Sequence, residues 1–258
     1  MLGNNRIKQL RALNQKKFRL EEQLFLAEGA KIVLELIGSD FPVTDVFALP
    51  PWIHAHSGLL NKFNGLVHEV NDRELDQISS LTTPQDVIAC CRIPETKLPE
   101  IIPGKLFLLL DSIRDPGNMG TLIRLADWFG IDGIIASEDS VEWTNPKVIQ
   151  ATMGSFIRIR PAYVNMETRL SEINPEIPVY AADLGGENLY SSGFRPEGIL
   201  IISNEAHGLT TGLSEFINKK LRIPRFSAQS DTGAESLNAA MAAAIMLGEF
   251  ARRRLGKL

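Results

Sequence analysis

The stretch GILIISNEAHGLT, residues 198–210, decides the fold that the sequence predicts. Its first half is a continuous apolar run, which is typical of a parallel strand buried on both faces of a sheet. The run stops at Ser203, Asn204 and Glu205, and a glycine turn follows at Gly208. Because ligands bind beyond the carboxyl ends of such strands, we predict a binding site here. Taken alone, however, the stretch is better explained as an ordinary strand end in which Asn204 or Glu205 caps the next helix.

Further apolar segments alternate with helical patterns on both sides of this strand. We therefore predict an α/β fold with a mostly parallel sheet. A proline-rich linker at residues 93–105 separates an amino-terminal domain, residues 1–92, from a carboxyl-terminal domain, residues 106–258. The predicted strands are residues 43–49, 86–91, 106–111, 133–137, 179–183, 199–203 and 221–224, and the predicted helices lie near residues 4–18, 28–38, 71–81, 119–129, 145–153 and 235–254.

The composition is that of a soluble globular protein, with 258 residues, 44% hydrophobic and 22% charged. The longest apolar stretch, AAMAAAIML, is far shorter than the roughly 20 residues that span a membrane, so we expect a cytoplasmic protein. A net charge of −4 argues mildly against general nucleic-acid binding. The cations, however, are concentrated at the two ends of the chain, where they form either a nucleic-acid surface or solvated helix faces: Arg6, Lys8, Arg11, Lys16, Lys17, Arg19, Arg252, Arg253, Arg254 and Lys257.

The cysteines and histidines do not indicate a metal site. Cys90 and Cys91 are adjacent in a predicted strand, so their side chains point to opposite faces and fill the core. His54 and His56 have no further ligands nearby in the sequence and are typical of a loop. His207 with Ser236 could belong to a hydrolase triad, but the G-x-S-x-G elbow is lacking.

Polar residues follow three of the predicted strands of the second domain. They are DPGNMG with Asn118 and Arg124, SNEAHGL at residues 203–209, and the pair Ile223-Pro224 followed by ESLN at residues 235–238. Each has an ordinary structural interpretation, such as a helix cap or a surface pair between Arg124 and Asp127. DPGNMG also lacks the glycine spacing and the lysine of a phosphate-binding loop, which argues against a nucleotide hydrolase.

Taken together and in this order, the three segments resemble the motifs of the SpoU or TrmH family of RNA ribose 2′-O-methyltransferases, in the SPOUT superfamily. The resemblance covers residues 105–250 and includes KVIQATMGSFIRI at residues 147–159. The amino-terminal part resembles the family's substrate-binding domain, which has a ribosomal-protein-like α/β fold and an F-x-x-E-G segment, here Phe25 to Gly29.

This resemblance implies a fold, a cofactor and a set of site residues. The second domain would be a trefoil-knotted SPOUT methyltransferase domain, preceded by a small ribosomal-protein-like RNA-binding domain. Loops of the knot would hold S-adenosylmethionine against Ser203, Ile223 and Leu237, with no metal. The positions that match the family's catalytic residues are Asn118, Arg124, Glu205, Ser236 and Asn238.

The chemistry suggests a role for each of these polar residues. In the family Arg124 is proposed to act as a base, but a guanidinium is almost always protonated, so a clamp on phosphate that also stabilises the forming alkoxide suits it better. Ser236 and Asn238 would orient the ribose hydroxyl. Glu205 would hold Arg124 or cap the helix after its strand.

The implied function is methylation of a ribose 2′-hydroxyl in structured RNA, ribosomal rather than transfer RNA, by a homodimer formed through the knotted domain. Three features depart from the family pattern: Ser203 and Ala206 stand where glycines are usual, Gln150 replaces a common arginine, and residues 227–233 form an apparent insertion. The alternative is a non-catalytic RNA-binding member with a disabled cofactor site. The presence of every polar residue at the catalytic positions argues against it.

Overall fold

The computed structural model describes residues 2–63, 65–205, 207–226 and 235–256. Ala206 and the apparent insertion at residues 227–233 lie outside the described residues. The chain forms two compact units. The first comprises Met1–Glu95 and Glu142–Ile157, and the second comprises Thr96–Val141 and Arg158–Leu258.

The helices and strands follow in chain order. The α-helices of the described residues are α1 Asn4–Ala12, α2 Lys16–Glu22, α3 Ala30–Gly38, α4 Pro50–Ala55, α5 Ser57–Leu60, α6 Asp72–Ile78, α7 Pro116–Trp128, α8 Pro146–Thr152, α9 Met166–Ser171 and α10 Ala239–Leu255. The strands are β1 Leu24–Glu28, β2 Val43–Ala48, β3 Val67–Glu69, β4 Val87–Arg92, β5 Leu106–Asp111, β6 Gly133–Ser137, β7 Pro161–Val164, β8 Val179–Asn188, β9 Gly198–Ser203 and β10 Lys219–Arg222. Short 3₁₀ segments occur at Asn61–Phe63, Ser155–Ile157 and Thr211–Phe216.

The first unit contains a four-stranded sheet in the order β1-β4-β2-β3. Strand β4 is antiparallel to both of its neighbours, and its adjacent Cys90 and Cys91 are both buried, as the sequence predicted. Burial raises the pKa of the Cys91 thiol well above its usual value. Helix α6 begins at a capping box in which Asn71 and Glu74 exchange side-chain to backbone hydrogen bonds.

The segment Glu142–Ile157 packs within the first unit, although it follows the predicted linker in sequence. An aromatic cluster explains this grouping. The rings of Trp143 and Phe156 lie 5.2 and 5.8 Å from that of Phe25, and Phe41 lies 5.5 Å from Phe156. Aromatic rings at these separations bury large apolar areas and favour edge-to-face geometry.

The second unit contains a six-stranded sheet in the order β10-β8-β9-β5-β6-β7, in which every neighbouring pair is parallel. This confirms the predicted parallel sheet. The central strands β5 and β9 are paired with Asp111 opposite Ser203, so the two strands end at the same level. Helix α10 packs against α7 and β9. The residues that follow β5 and β9 and those that precede α10 are therefore brought to one edge of the sheet.

Candidate active site

The loop after β9 is fastened to the end of β5. Asp111 is 2% exposed, and its carboxylate accepts hydrogen bonds from Thr210 N and Thr210 Oγ1, both at 2.8 Å. Asn204 donates from its backbone N to Asp111 O at 3.1 Å and from Nδ2 to Ser112 O at 3.2 Å. A buried carboxylate needs such donors because desolvation of an unpaired charge is costly. Asp111 was not among the predicted site residues. The sequence feature that could have identified it is an acidic residue at the end of an otherwise apolar strand.

The three polar motifs meet in one hydrogen-bond network. Asn118 Nδ2 donates to Glu205 Oε1 at 3.0 Å, and Asn238 Nδ2 donates to Asn118 Oδ1 at 2.7 Å. Glu205 Oε1 also accepts from the backbone N of Ala239, the first residue of α10, at 2.6 Å. Asn118, Glu205 and Asn238, which the sequence predicted as site residues, therefore contact one another directly.

The polarity of this network is set at its two ends. The Glu205 carboxylate only accepts hydrogen bonds, so the Asn118 atom that faces it must be the amide nitrogen. Asn118 Oδ1 then faces Asn238 Nδ2, and Asn238 Oδ1 accepts from the backbone N of Ala240 and Met241 at 3.0 and 3.3 Å. Asn238 is thus the N-cap of α10, and the carboxylate of Glu205 lies at the positive end of that helix.

Asn118 is further fixed through its backbone. Asp115 caps α7, and its Oδ1 accepts from Asn118 N at 2.7 Å. Asn118 itself lies inside the first turn of the helix and is 9% exposed. Its side chain is therefore held by Glu205 in the loop after β9 and by the N-cap of α10, and its backbone is held by the N-cap of its own helix.

A cavity of about 620 Å³ lies next to this network, at the carboxyl ends of β9 and β10 and beside the middle of β8. The three predicted cofactor-binding residues, Ser203, Ile223 and Leu237, all line it, as do Glu205 and Ser236. The rest of the wall combines apolar side chains with a few charged ones: Ala182, Asp183, Leu184, Ile202, Asn204, Gly208, Leu209, Leu221, Pro224, Arg225, Phe226, Glu235, Ala239, Ala242 and Met246. Such a lining is typical of a small-molecule site, for which volumes of about 300–1,000 Å³ are usual.

Arg124 lies on the exposed face of α7 and does not line this cavity. The surface pair with Asp127 that the sequence suggested does not form. Asp127 instead accepts from Arg158, with both carboxylate oxygens 3.0 Å from Arg158 Nε and a third contact of 2.8 Å. Within the parts of the chain that the structure describes, the guanidinium of Arg124 has no hydrogen-bond or ion-pair partner. Of the two roles predicted for Glu205, the contact with Arg124 does not form, and Glu205 instead contacts Asn118 and Ala239.

The clustered cations at the chain ends divide into structural and exposed groups. Near the carboxyl end, Arg252 and Arg253 both bind the buried Glu249, and Arg254 donates to Pro196 O at 2.9 Å. Arg19 is 2% exposed and pairs with Glu142. In contrast, Lys8 and Arg11 lie one turn apart on the exposed side of α1.

Two residues that the sequence singled out have structural contacts in the first unit. Gln150, which replaces a common arginine, donates from Nε2 to Glu28 O at 2.9 Å. Glu28, from the F-x-x-E-G segment, is 2% exposed and accepts from Ser79 and Ser80. Glu28 therefore holds the loop after α6, and Gln150 joins α8 to β1.

Among the described residues, no three histidine, cysteine, aspartate or glutamate side chains cluster as metal ligands would. None of the helices described is long and apolar enough to cross a membrane. His56, one of the two histidines considered above, contacts Trp52 O through Nδ1 at 2.8 Å.

Comparisons with known proteins match both units. The SpoU rRNA Methylase family matches residues 105–248, and the MRM3-like substrate binding domain matches residues 4–89. A 23S rRNA (guanosine(2553)-2′-O)-methyltransferase of Bacillus subtilis is 29% identical over 246 residues, which cover 95% of each chain.

Solved structures agree over nearly the whole length. An RNA methyltransferase of the TrmH family from Porphyromonas gingivalis, described as putative, has a TM-score of 0.87 and 35% identity, and the match covers 98% of this chain and 99% of that one. An AdoMet-bound rRNA methyltransferase from Sinorhizobium meliloti has a TM-score of 0.83 and 31% identity, covering 99% and 97% of the two chains. The chain therefore belongs to the SpoU rRNA methylase family.

Proposed function

We propose that the protein transfers a methyl group from S-adenosylmethionine to a ribose 2′-hydroxyl of ribosomal RNA in the cytoplasm. The observation that carries this proposal is the network of Asn118, Glu205 and Asn238, which joins the family's three motifs at the edge of a cavity lined by Ser203, Ile223 and Leu237. Family membership and the rRNA methyltransferases among its relatives support the reaction type.

The cavity fits this cofactor in size and chemistry. Ile202, Leu221 and Met246 provide an apolar wall suited to an adenine ring, while Ser203 and Ser236 are neutral polar groups. When bound, S-adenosylmethionine supplies an electrophilic methyl group on a sulfonium, whose departure requires no acid. The carboxylates of Asp183, Glu205 and Glu235 on the wall suit a cationic ligand.

The chain's own residues would position the hydroxyl and stabilise its charge. The exposed guanidinium of Arg124 is suited to clamp an RNA phosphate and to stabilise the negative charge that develops as the 2′-oxygen loses its proton. Ser236, exposed on the cavity wall, would align the hydroxyl. Asn118, Glu205 and Asn238 bond mainly to one another and to the start of α10, so we assign them to positioning the motif loops.

The non-catalytic alternative requires a cofactor site closed by the residues that replace glycine. Ser203 lies on the cavity wall, and the cavity still measures about 620 Å³ with this side chain in place. The serine therefore leaves space for a ligand. This favours an active enzyme over a disabled member of the family.

Residues 1–92 would select the RNA. Residues 4–89 match a substrate binding domain, and Lys8 and Arg11 present positive charge on one exposed face of α1. Exposed lysine and arginine side chains bind the phosphate backbone without reading sequence. The carboxyl-terminal arginines contribute less, because Arg253 and Arg254 are held by protein groups.

We propose a homodimer formed through a knotted second domain, with residues 93–105 as the linker. Met241 and Ile245 lie one turn apart on α10 and are 61% and 37% exposed, and Leu237, just before the N-cap of this helix, is 45% exposed. An exposed apolar stripe of this kind is typical of a helix that packs against a partner. Light scattering should give twice the mass of one chain, and Met241→Glu should halve it. A monomeric wild-type chain at micromolar concentration would contradict the dimer.

The enzymatic proposal is tested with unmodified RNA from a strain that lacks the protein. The wild-type chain should bind S-adenosylmethionine in calorimetry and transfer labelled methyl groups to this RNA. Binding of RNA without binding of cofactor at millimolar concentration would instead support the non-catalytic alternative.

A further inference from the structure

We propose that Arg114 is a phosphate-binding residue that places the substrate RNA beside the active site, held in position for this by Asp139. The inference rests on the proposed methyl transfer to RNA. Arg114 lies in the four-residue segment between the end of β5 and the start of α7 and is not one of the family-matched positions identified above.

The segment that carries Arg114 is fixed by its backbone. Ser112 N donates to Ser137 Oγ at 2.8 Å, and Ser112 O accepts from Asn204 Nδ2 at 3.2 Å. Ile113 N donates to Ser140 Oγ at 3.0 Å. Ser112 adopts a φ of 56°, in the left-handed region that a serine enters only at an energetic cost. The loop is therefore held in one unusual conformation by its surroundings.

Asp139 orients the side chain of Arg114. Its Oδ2 accepts from Arg114 Nη2 at 2.8 Å and from Ser112 Oγ at 2.9 Å, and its Oδ1 accepts from Ser137 Oγ at 2.7 Å. Partial burial alone would raise the pKa of Asp139, but the hydrogen bonds from Arg114, Ser137 and Ser112 lower it to about 2. Asp139 is thus a carboxylate at neutral pH, and hydrogen bonds fix both of its oxygens. An ordinary surface ion pair lacks these additional hydrogen bonds, so its side chains are less well oriented.

Arg114 lies at the edge of the sheet where β5 and β9 end, next to the network of Asn118, Glu205 and Asn238. The next residue, Asp115, caps α7 and binds the backbone of Asn118. Ser112, two residues before Arg114, is bonded to Asn204 in the loop after β9. Arg114 is therefore connected on both sides to the residues that build the network, while its side chain remains 60% exposed.

The donor geometry favours a phosphate as the ligand. A guanidinium has five N–H donors in a planar fork, and within the described residues only Nη2 of Arg114 is used, in its bond to Asp139. The remaining donors can bind a phosphate oxygen pair while the bond to Asp139 persists. An RNA whose target ribose enters this edge of the sheet presents phosphodiesters to such a group.

The test compares steady-state methylation of ribosomal RNA by the full-length wild-type protein and by Arg114→Ala. We expect KM for RNA to rise about tenfold, with kcat changed much less, because a charge-assisted hydrogen bond made in the ground state is lost. The slope of log(kcat/KM) against log salt, between about 50 and 200 mM, should fall by about one. Cofactor affinity should be unchanged, and the melting temperature should fall only slightly, because Asp139 keeps its hydrogen bonds from Ser112 and Ser137.

Two further variants separate positioning from charge. Asp139→Asn removes a negative charge, so a simple field effect predicts tighter RNA binding, whereas our proposal predicts a higher KM because the guanidinium is no longer held. Arg195→Ala is the matched control, since Arg195 is 57% exposed and lies just before the opposite, amino-terminal end of β9.

The outcomes for the enzyme and for Arg114 are distinguishable. An inactive wild-type protein would overturn the proposed function. An active wild-type protein whose KM and salt slope are unaffected by Arg114→Ala would overturn the role of Arg114 alone. An Arg114→Ala variant that weakens methylation only by lowering the melting temperature would also overturn that role.

Discussion

Asn238 Nδ2 donates a hydrogen bond to Asn118 Oδ1 over 2.7 Å and so joins two residues 120 positions apart in the chain. Asn118 in turn donates to Glu205. The start of α7, the loop after β9 and the start of α10 are therefore joined in one hydrogen-bond network. Asn118, Glu205 and Asn238 therefore stabilise the start of α7, the loop after β9 and the start of α10 together, and loss of one side chain weakens the contacts of the others.

The first prediction tests the polarity of this network. Asn118→Asp should place a carboxylate oxygen beside Glu205 Oε1, which lies 3.0 Å from the present amide nitrogen, and like charges repel. We expect loss of cofactor affinity and a lower melting temperature. The double variant Asn118→Asp with Glu205→Gln should recover part of both, because the new amide nitrogen can donate to the new carboxylate, although Ala239 N then loses the acceptor that it shares with Asn118.

Glu205→Gln alone serves as the control for this cycle. Its amide nitrogen can be directed away from Asn118, so it should cost less than Asn118→Asp. Strictly additive effects of the two substitutions, measured by calorimetry and thermal melting, would show that Asn118 and Glu205 do not interact.

The second prediction concerns Arg124. Because Asp127 is bonded to Arg158, removal of the Arg124 guanidinium breaks no ion pair within the described residues, and Arg124→Ala should melt like the wild type. Its methylation rate should fall about a hundredfold or more, as for loss of a positioned electrostatic group. Single-turnover kinetics measure the rate, and weak rescue by Arg124→Lys would indicate bidentate contact with phosphate. Near-normal turnover of Arg124→Ala would remove this residue from the mechanism.

The third prediction concerns selection of RNA by the first unit. Lys8→Ala with Arg11→Ala should raise KM for RNA and weaken its salt dependence, because both cations lie on the exposed side of α1. The protein should remain folded. Arg19→Ala should behave differently and lower the melting temperature, since Arg19 is buried against Glu142 and Leu13. Unchanged RNA kinetics in the double variant would place the RNA surface elsewhere.

The fourth prediction is a pH dependence of stability. The hydrogen bond from Arg252, opposed by burial and reinforced by Arg253, lowers the pKa of Glu249 from 4.5 to about 2. A carboxyl group whose pKa is lower in the folded than in the unfolded state stabilises the fold at pH values above its unfolded pKa. This stabilisation disappears as the pH falls from about 4.5 to about 2. Glu249→Gln should cost about 1.5–3 kcal/mol at pH 7.

Denaturant unfolding of wild type and Glu249→Gln at several pH values measures this difference. It should narrow steadily below pH 4.5. Glu172→Gln is the control and should show a smaller effect at every pH, because the carboxylate of Glu172, which pairs with Arg169, is 57% exposed. A difference that stays constant down to pH 2 would show that ionisation of Glu249 does not contribute.

The parallel sheet was predictable because its strands are locally encoded. Residues 106–111 and 133–137 were predicted as strands and are observed as β5 and β6 with the same bounds. Five of the six residues at 106–111 are apolar and all six are buried, which is typical of a parallel strand covered on both faces.

Elements fixed by distant contacts were predicted less well. A single helix was expected near residues 4–18, but the chain breaks into α1 and α2 because the carbonyl of Leu13 accepts from the buried Arg19 and Asn14 donates to Ile78 O. Strand β1 was missed because its pairing partner β4 lies far along the chain. The final helix begins at Ala239 rather than near residue 235, since Asn238 is its cap.

The same distinction applies to the site. The residue types were readable from the motifs, and Ser203, Ile223 and Leu237 do line one cavity. The partners of Glu205 and the support from Asp111 depend on which loops meet across the sheet. Local sequence does not encode those contacts.

The most direct test of the account is the chemical position of the transferred methyl group. After incubation with labelled S-adenosylmethionine and unmodified ribosomal RNA, complete digestion to nucleosides separates ribose-methylated from base-methylated products. We predict that the label is found in a single 2′-O-methylnucleoside and that Arg124→Ala loses nearly all of it. Label in a methylated base, or RNA that acquires none while the protein binds both cofactor and RNA, would contradict ribose 2′-O-methylation as the function of this protein.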